Sequence, residues 1–120
     1  MSEDVALEEG RDDFSSATRE MLAKRSGYIC AYPACKRMTV AGSDDRRSGI
    51  TMTGVAAHIT AASRKGPRYD PAMSHDERSS ESNGIWTCQI HGKFIDDNPS
   101  KCTTEELRRW KSQHEKWVFE

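Results

Sequence analysis

The chain has 120 residues, 35% hydrophobic and 31% charged, with a formal net charge of -1 and a mean hydropathy of -0.83. That length supports one domain, and so lean an apolar content excludes a domain held by a large core alone, so a staple such as a structural metal is expected to supply folding free energy. No apolar run is long enough to span a bilayer, and Met1 to Gly10 is acidic where a signal peptide would be basic and then apolar, so a soluble, cytoplasmic protein without a membrane partner is expected.

The net charge hides an asymmetry. Residues 1 to 20 hold seven acids against Arg11 and Arg19, a balance of -5, and the remaining 100 residues hold 16 basic and 12 acidic groups, a balance of +4. A mildly basic body suits a phosphate-binding surface and equally suits an ordinary solvated exterior.

In chain order, residues 1–15 read as an acidic, disordered tail and residues 16–120 as the folded domain. A first helix is expected from Ala17 to Ser26, capped by Ser16 and stopped by Gly27, with Met21 and Leu22 inward. Pro33 favours a tight turn between Cys30 and Cys35. Lys36 to Gly49 reads as an exposed polar loop, and Ile50 to Ile59 as a strand or a hairpin around Gly54 that ends near His58. Ala61 to Ser74, with Gly66-Pro67 and Asp70-Pro71, is expected to be irregular, and Ser74-x-x-Glu77 to cap a short helix. Asn83-Gly84 is a turn signal before a second strand, Ile85 to Thr87. Cys88 to Asp96 then reads as a helix, and Thr103-x-x-Glu106 as the cap of a last helix whose Leu107, Trp110, His114 and Trp117 form a core stripe.

Two pairs carry metal-ligand chemistry: Cys30-x4-Cys35 and Cys88-x2-His91. Thiolate and imidazole are the ligands that four-coordinate structural zinc prefers, and two close pairs far apart in sequence let one ion clip distant segments together. Four cysteines also permit two disulfides in a secreted chain, but the missing export signal and the neighbouring His91 favour ligation in a reducing compartment. Cys102 lies outside the pattern and reads as a free thiol, and His75 and His114 as solvent-facing or packed residues.

Between the pairs lie Ala57-His58-Ile59, Gly66-Pro67-Arg68-Tyr69-Asp70 and Asn83-Gly84-Ile85-Trp86-Thr87-Cys88, with Ile95-Asp96 beyond. In this order the sequence resembles the HNH endonuclease family over roughly Ala17 to Trp117. The resemblance implies an α+β fold: a small ββα-metal domain stapled by a structural zinc on Cys30, Cys35, Cys88 and His91, with flanking helices. It implies metal-dependent hydrolysis of DNA phosphodiester bonds to a 3'-hydroxyl and a 5'-phosphate, with His58 as the general base, Asn83 in support, and a divalent ion such as Mg2+, Mn2+ or Ni2+. It further suggests a nuclease module of a defence or restriction system.

A neutral imidazole suits the base role, because a pKa near 6.5 makes it competent around neutral pH. Arg64, Lys65, Arg68 and Lys93 are candidate phosphate contacts, which would leave base selectivity to a further domain or partner. Two positions depart from the family's pattern, Ala57 before the base and Gly92 after the last zinc ligand, where many members place ligands of the catalytic ion. His91, Asp96 or Asp70 would have to serve instead, or the site is inactive and the chain is a zinc-stabilised module that binds nucleic acid or protein.

Overall fold

The computed structural model describes residues 11–44 and 47–120. Helix α1 (Ser16–Arg25) is capped by Ser15, whose side chain accepts from Thr18 N. It ends where Gly27 takes a φ of 64° and Tyr28 one of 60°. Tyr28 N donates to Ala23 O and Gly27 N to Lys24 O, the paired bonds of a Schellman stop that satisfies the last carbonyls. The cap therefore lies one residue earlier than the sequence suggests, and Met21 faces solvent while Leu22 and Ala23 are buried.

Strands β1 (Val40–Gly42) and β2 (Ile50–Met52) form one antiparallel pair, and β3 (Gly54–His58) and β4 (Gly84–Cys88) another. Two expectations are corrected here. The Lys36–Gly49 stretch is not all exposed loop: Thr39 is fully buried, its hydroxyl donates to Tyr28 O, and β1 follows it. The Ile50–Ile59 segment is not a hairpin around Gly54 either, because the chain passes from one sheet to the other at Thr53, whose N–H donates to Thr39 O.

A helix α2 (His75–Arg78) opens on the expected reciprocal capping box of Ser74 and Glu77. A 3-10 turn, Glu81–Asn83, leads directly into β4. Asn83-Gly84 is thus the end of a 3-10 turn and the start of a strand, not a hairpin turn. Helix α3 (Gln89–Asp97) starts on Cys88 and helix α4 (Thr104–Phe119) on Thr103. None of these helices is long and apolar enough to cross a membrane.

The β3–β4 pair is packed on both faces, as its period-two alternation requires. Ala57, Ile59 and Ile85 join Ala31, Ile95, Cys102 and Leu107 on the α3–α4 side. Ala56 and Trp86 join Phe14, Leu22 and Ala23 on the α1 side. Of the α4 stripe, Leu107 and His114 are buried and Trp110 packs partly buried against the core, whereas Trp117 is 52% exposed. His114 is held rather than free: its Nε2 donates to Ser26 O at 2.9 Å, and Lys36 Nζ donates to its Nδ1 at 2.7 Å.

Residues 1–10 of the expected tail lie outside the described residues, but its remainder is packed against the domain. Asp12 is 8% and Phe14 4% exposed, and Asp12 N donates to Ala62 O at 2.9 Å. A lone aromatic in an acidic stretch is too weak a signal to separate these residues from the segment before them.

A Cys3His cluster and a histidine cleft at opposite ends of one strand pair

The β3–β4 register sets Gly54 opposite Cys88 and His58 opposite Gly84. Cys88 and His58 therefore mark opposite ends of a five-residue pairing, about 14 Å apart along the strands at roughly 3.4 Å per residue.

At the Cys88 end, the ligand atoms of Cys30, Cys35, Cys88 and His91 lie within 4.8 Å of one another. Pro33 occupies the second position of a turn closed by Cys35 N donating to Tyr32 O at 3.0 Å, which brings the first two thiols round to one side. Cys88 caps α3, and its neighbour one turn on, His91, points Nδ1 at it from 3.3 Å. Nδ1 also lies 4.0 Å from Cys30 Sγ. Tetrahedral zinc with bonds of about 2.3 Å to sulfur and 2.0 Å to nitrogen sets S···N separations of roughly 3.5 Å, so the donor set and its spacing fit such an ion. The four cysteines are free thiols.

Electrostatics at the cluster point the same way. Burial pushes the Cys30 thiol up to about 12, so its thiolate needs a cation to be stable there. Burial also raises Cys88, but the His91 amide and neighbouring thiols outweigh it and leave Cys88 below its ordinary value. The ring of Tyr32 stacks on His91 at 4.0 Å between centroids and fixes its plane. His91 is thereby committed to the cluster and is not a ligand at the His58 end.

At that other end, His58 closes β3 and lines a cleft of about 280 Å³ together with Arg11, Asp13, Phe14, Arg19 and Asp96. Phe14 lies flat on the His58 ring, 3.9 Å between centroids and 7° from parallel. Nε2 faces the Asp12 carbonyl oxygen at 3.0 Å. A carbonyl only accepts, so Nε2 carries the proton and the lone pair is left on Nδ1. Burial holds His58 below its ordinary value of 6.5, against partial opposition from the Asp12 carbonyl and the carboxylates of Asp13 and Asp96. The imidazole is therefore neutral at neutral pH.

Asn83 is 1% exposed and spends its whole amide on backbone and hydroxyl groups. Its Oδ1 accepts from Thr60 N and Thr60 Oγ1 at 3.0 and 3.1 Å. Its Nδ2 donates to Thr60 O and Arg78 O, each at 3.0 Å, and its own carbonyl accepts from Ile59 N at 2.8 Å. It fixes the chain just after His58 and does not line the cleft.

The candidate basic residues divide. Arg64, Lys65 and Lys93 are exposed, and Lys93 pairs with Asp97 at 3.0 Å. Arg68 is corrected: its side chain is 5% exposed, and the guanidinium donates to the carbonyls of Ile59, Ile95, Cys102 and His58 at 2.6 to 3.4 Å. A fork with five donors lets one side chain from the irregular Ala61–Ser74 segment bridge the carbonyls at the end of β3, in α3 and before α4, so Arg68 is internal scaffolding. Arg11 and Arg19, which no sequence motif singles out, line the cleft instead.

The two departures also have addresses. Ala57 is 8% exposed, belongs to the apolar α3–α4 cluster and also lines the cleft. A Cβ at Gly92 would stand 2.8 Å from Val55 Cγ2 and 3.1 Å from Thr87 Oγ1, so glycine is what lets α3 lie against the strands. Of the substitutes considered for a metal ligand, Asp96 lines the cleft, whereas Asp70 does not and accepts from Ala72 N at 2.9 Å. Burial raises the Asp96 carboxyl, which Arg68 partly offsets. Among the described residues, the Cys3His set is the one cluster of three or more metal-ligating side chains.

A scan against protein-family models finds no match to this chain, and a search of curated proteins finds none either.

Proposed function

We propose that the chain is a small ββα-metal nuclease domain of the HNH type, hydrolysing phosphodiester bonds in DNA, with His58 as general base and a structural zinc on Cys30, Cys35, Cys88 and His91. The observation that carries this reading is the His58 ring lining a cleft with the carboxylates of Asp13 and Asp96, its Nε2 donating to the Asp12 carbonyl so that the lone pair falls on Nδ1. A base of this kind takes a proton from a water molecule that then attacks phosphorus. Arg11 and Arg19 line the cleft and would draw a phosphate backbone towards it, with exposed Arg64 and Lys65 as further candidate phosphate contacts.

A zinc on these four residues would hold the start of α3 to the Cys30–Cys35 turn, and its role would be structural, since Cys88 and His58 stand at opposite ends of the strand pair. A divalent ion at the cleft would supply charge stabilisation at the transferring phosphate. Mg2+ is commonly held by only one or two carboxylates with substrate oxygens and water, and Asp96 and Asp13 are the carboxylates here.

A second reading has an observation of its own. Although His58, Asp13 and Asp96 line the cleft, they do not form a close three-ligand group among the described residues, which favours a zinc-stabilised module that binds nucleic acid or a partner protein without cutting.

A nicking assay on supercoiled plasmid with Mg2+, Mn2+, Ni2+ and added Zn2+ tests the two. The nuclease reading expects metal-dependent conversion to open circles with ligatable 5'-phosphate ends. Retarded but intact plasmid under every metal overturns it in favour of the binding module.

A further inference from the structure

We propose that residues 11–14 form a positioning strap for His58, and that Arg78 and His75 hold the strap in place through the Asp12 carboxylate. The inference rests on the reading of His58 as the base and concerns how that base is kept in one tautomer and one orientation.

Asp12 is tied at each of its polar groups. Its N–H donates to Ala62 O at 2.9 Å. One carboxylate oxygen accepts from Arg78 Nη1 at 3.1 Å and the other pairs with His75 Nδ1. Its carbonyl accepts from His58 Nε2 at 3.0 Å. Arg78 is itself fixed, with Nη2 donating to Asp70 O at 2.9 Å and its guanidinium 4.5 Å from the centre of the Tyr69 ring.

Geometry argues for a role beyond holding down a terminus. Two residues past Asp12, Phe14 covers one face of the same imidazole, so a single short segment fixes both the donor direction and the plane of the ring. Asn83 fixes the backbone just after His58. The backbone anchor belongs to Asn83, and the ring anchor to the strap. A histidine held only by its backbone would rotate about its side-chain torsions and share its proton between the two nitrogens, and a base whose lone pair wanders loses much of its rate. Asp12, Arg78 and Phe14 are thus positioning residues.

Nitrogen-15 spectra of the full, metal-loaded chain test this without reference to cleavage. The wild-type protein should show His58 with a protonated Nε2 and a bare Nδ1, and an Nε2–H resonance with a nuclear Overhauser contact to the Phe14 ring. Protonation of Nδ1 instead overturns the proposal outright. In Asp12→Ala and in Arg78→Gln the Nε2–H resonance should disappear through exchange with water, with zinc content retained, and Asp12→Glu should restore it at least in part. An unchanged resonance in either loosened variant overturns the proposal, and because Phe14→Leu removes only the stacked ring, it gives a third reading if both of those fail to fold. Where plasmid nicking is present, Asp12→Ala should lower kcat by about 10- to 100-fold with KM nearly unchanged, less than the roughly 10²- to 10⁴-fold cost of deleting a base. Should the wild-type chain not nick at all, the nuclease reading fails while the spectra still decide the strap.

Discussion

The backbone carbonyl of Asp12 accepts a hydrogen bond from Nε2 of His58 at 3.0 Å across 46 residues of sequence. That one bond joins a segment with the composition of a loose acidic tail to the histidine at the end of β3, and it determines which ring nitrogen can take a proton.

A titration order follows from burial. Burial lowers His58 and His114 below their ordinary 6.5, whereas the Asp12 carboxylate raises exposed His75 above it. A group whose folded pKa is depressed gives stability above its unfolded value and loses it as pH falls, so His58 and His114 destabilise the fold progressively below pH 6.5. His75 has the opposite sign, its contribution being complete below 6.5 and lost as pH rises through its folded value. For Asp12, burial is outweighed by His75 and Arg78, the carboxyl sits below 3.8, and its contribution persists until the pH falls beneath that value. Residue-resolved titration should place His75 above 6.5 and His58 and His114 below it. The acid limb of any cleavage rate should likewise fall below pH 6.5, and a limb above that value would contradict the neutral, buried base.

Gly92→Ala should destabilise the protein despite a gain in helix propensity of about 1 kcal/mol. The added Cβ would lie 2.8 Å from Val55 Cγ2, and overpacking of this kind costs about 1 to 3 kcal/mol. Val55→Ala in the same chain should recover much of that cost, so denaturant unfolding of the four proteins in the cycle checks the close approach by its non-additivity.

Replacing Arg68 by alanine removes the donor to four carbonyls and should cost about 2 to 4 kcal/mol in unfolding free energy. Arg64→Ala and Lys65→Ala should leave stability nearly unchanged, and each should reduce the salt slope of DNA binding by about 1 if its side chain meets a phosphate. An Arg68→Ala protein of wild-type stability would contradict the inward, carbonyl-bound guanidinium.

Metal content is the simplest check of the other end of the strands. About one zinc per chain is expected, and Cys88→Ser or exhaustive chelation should unfold the domain, since such sites contribute of the order of 10 kcal/mol. A folded, metal-free Cys88→Ser protein would remove the staple from the account.

Much of this arrangement is legible in the residues. The two ligand pairs, the capping box at Ser74 and the α4 start at Thr103 are local patterns whose chemistry does not depend on the rest of the chain. What sequence does not carry is contact between distant segments. Asp12 and Phe14 look disordered because their partners, His58, His75 and Arg78, lie 44 or more residues away. Arg68 looks like a surface cation because nothing nearby signals that four carbonyls will face it. Val40–Gly42 pairs with β2 inside a polar stretch, where local composition favours loop over strand. Deleting residues 1–14 would therefore remove part of the cleft lining, Arg11, Asp13 and Phe14.

The central claim, that the His58 cleft cuts DNA, is tested most directly by the initial rate of plasmid nicking for wild-type and His58→Ala proteins of equal zinc content at one saturating divalent metal. The account predicts metal-dependent nicking by the wild-type chain and a drop of about 10²- to 10⁴-fold on removing the imidazole. Equal rates in the two proteins would contradict it, as would DNA binding with no nicking by either.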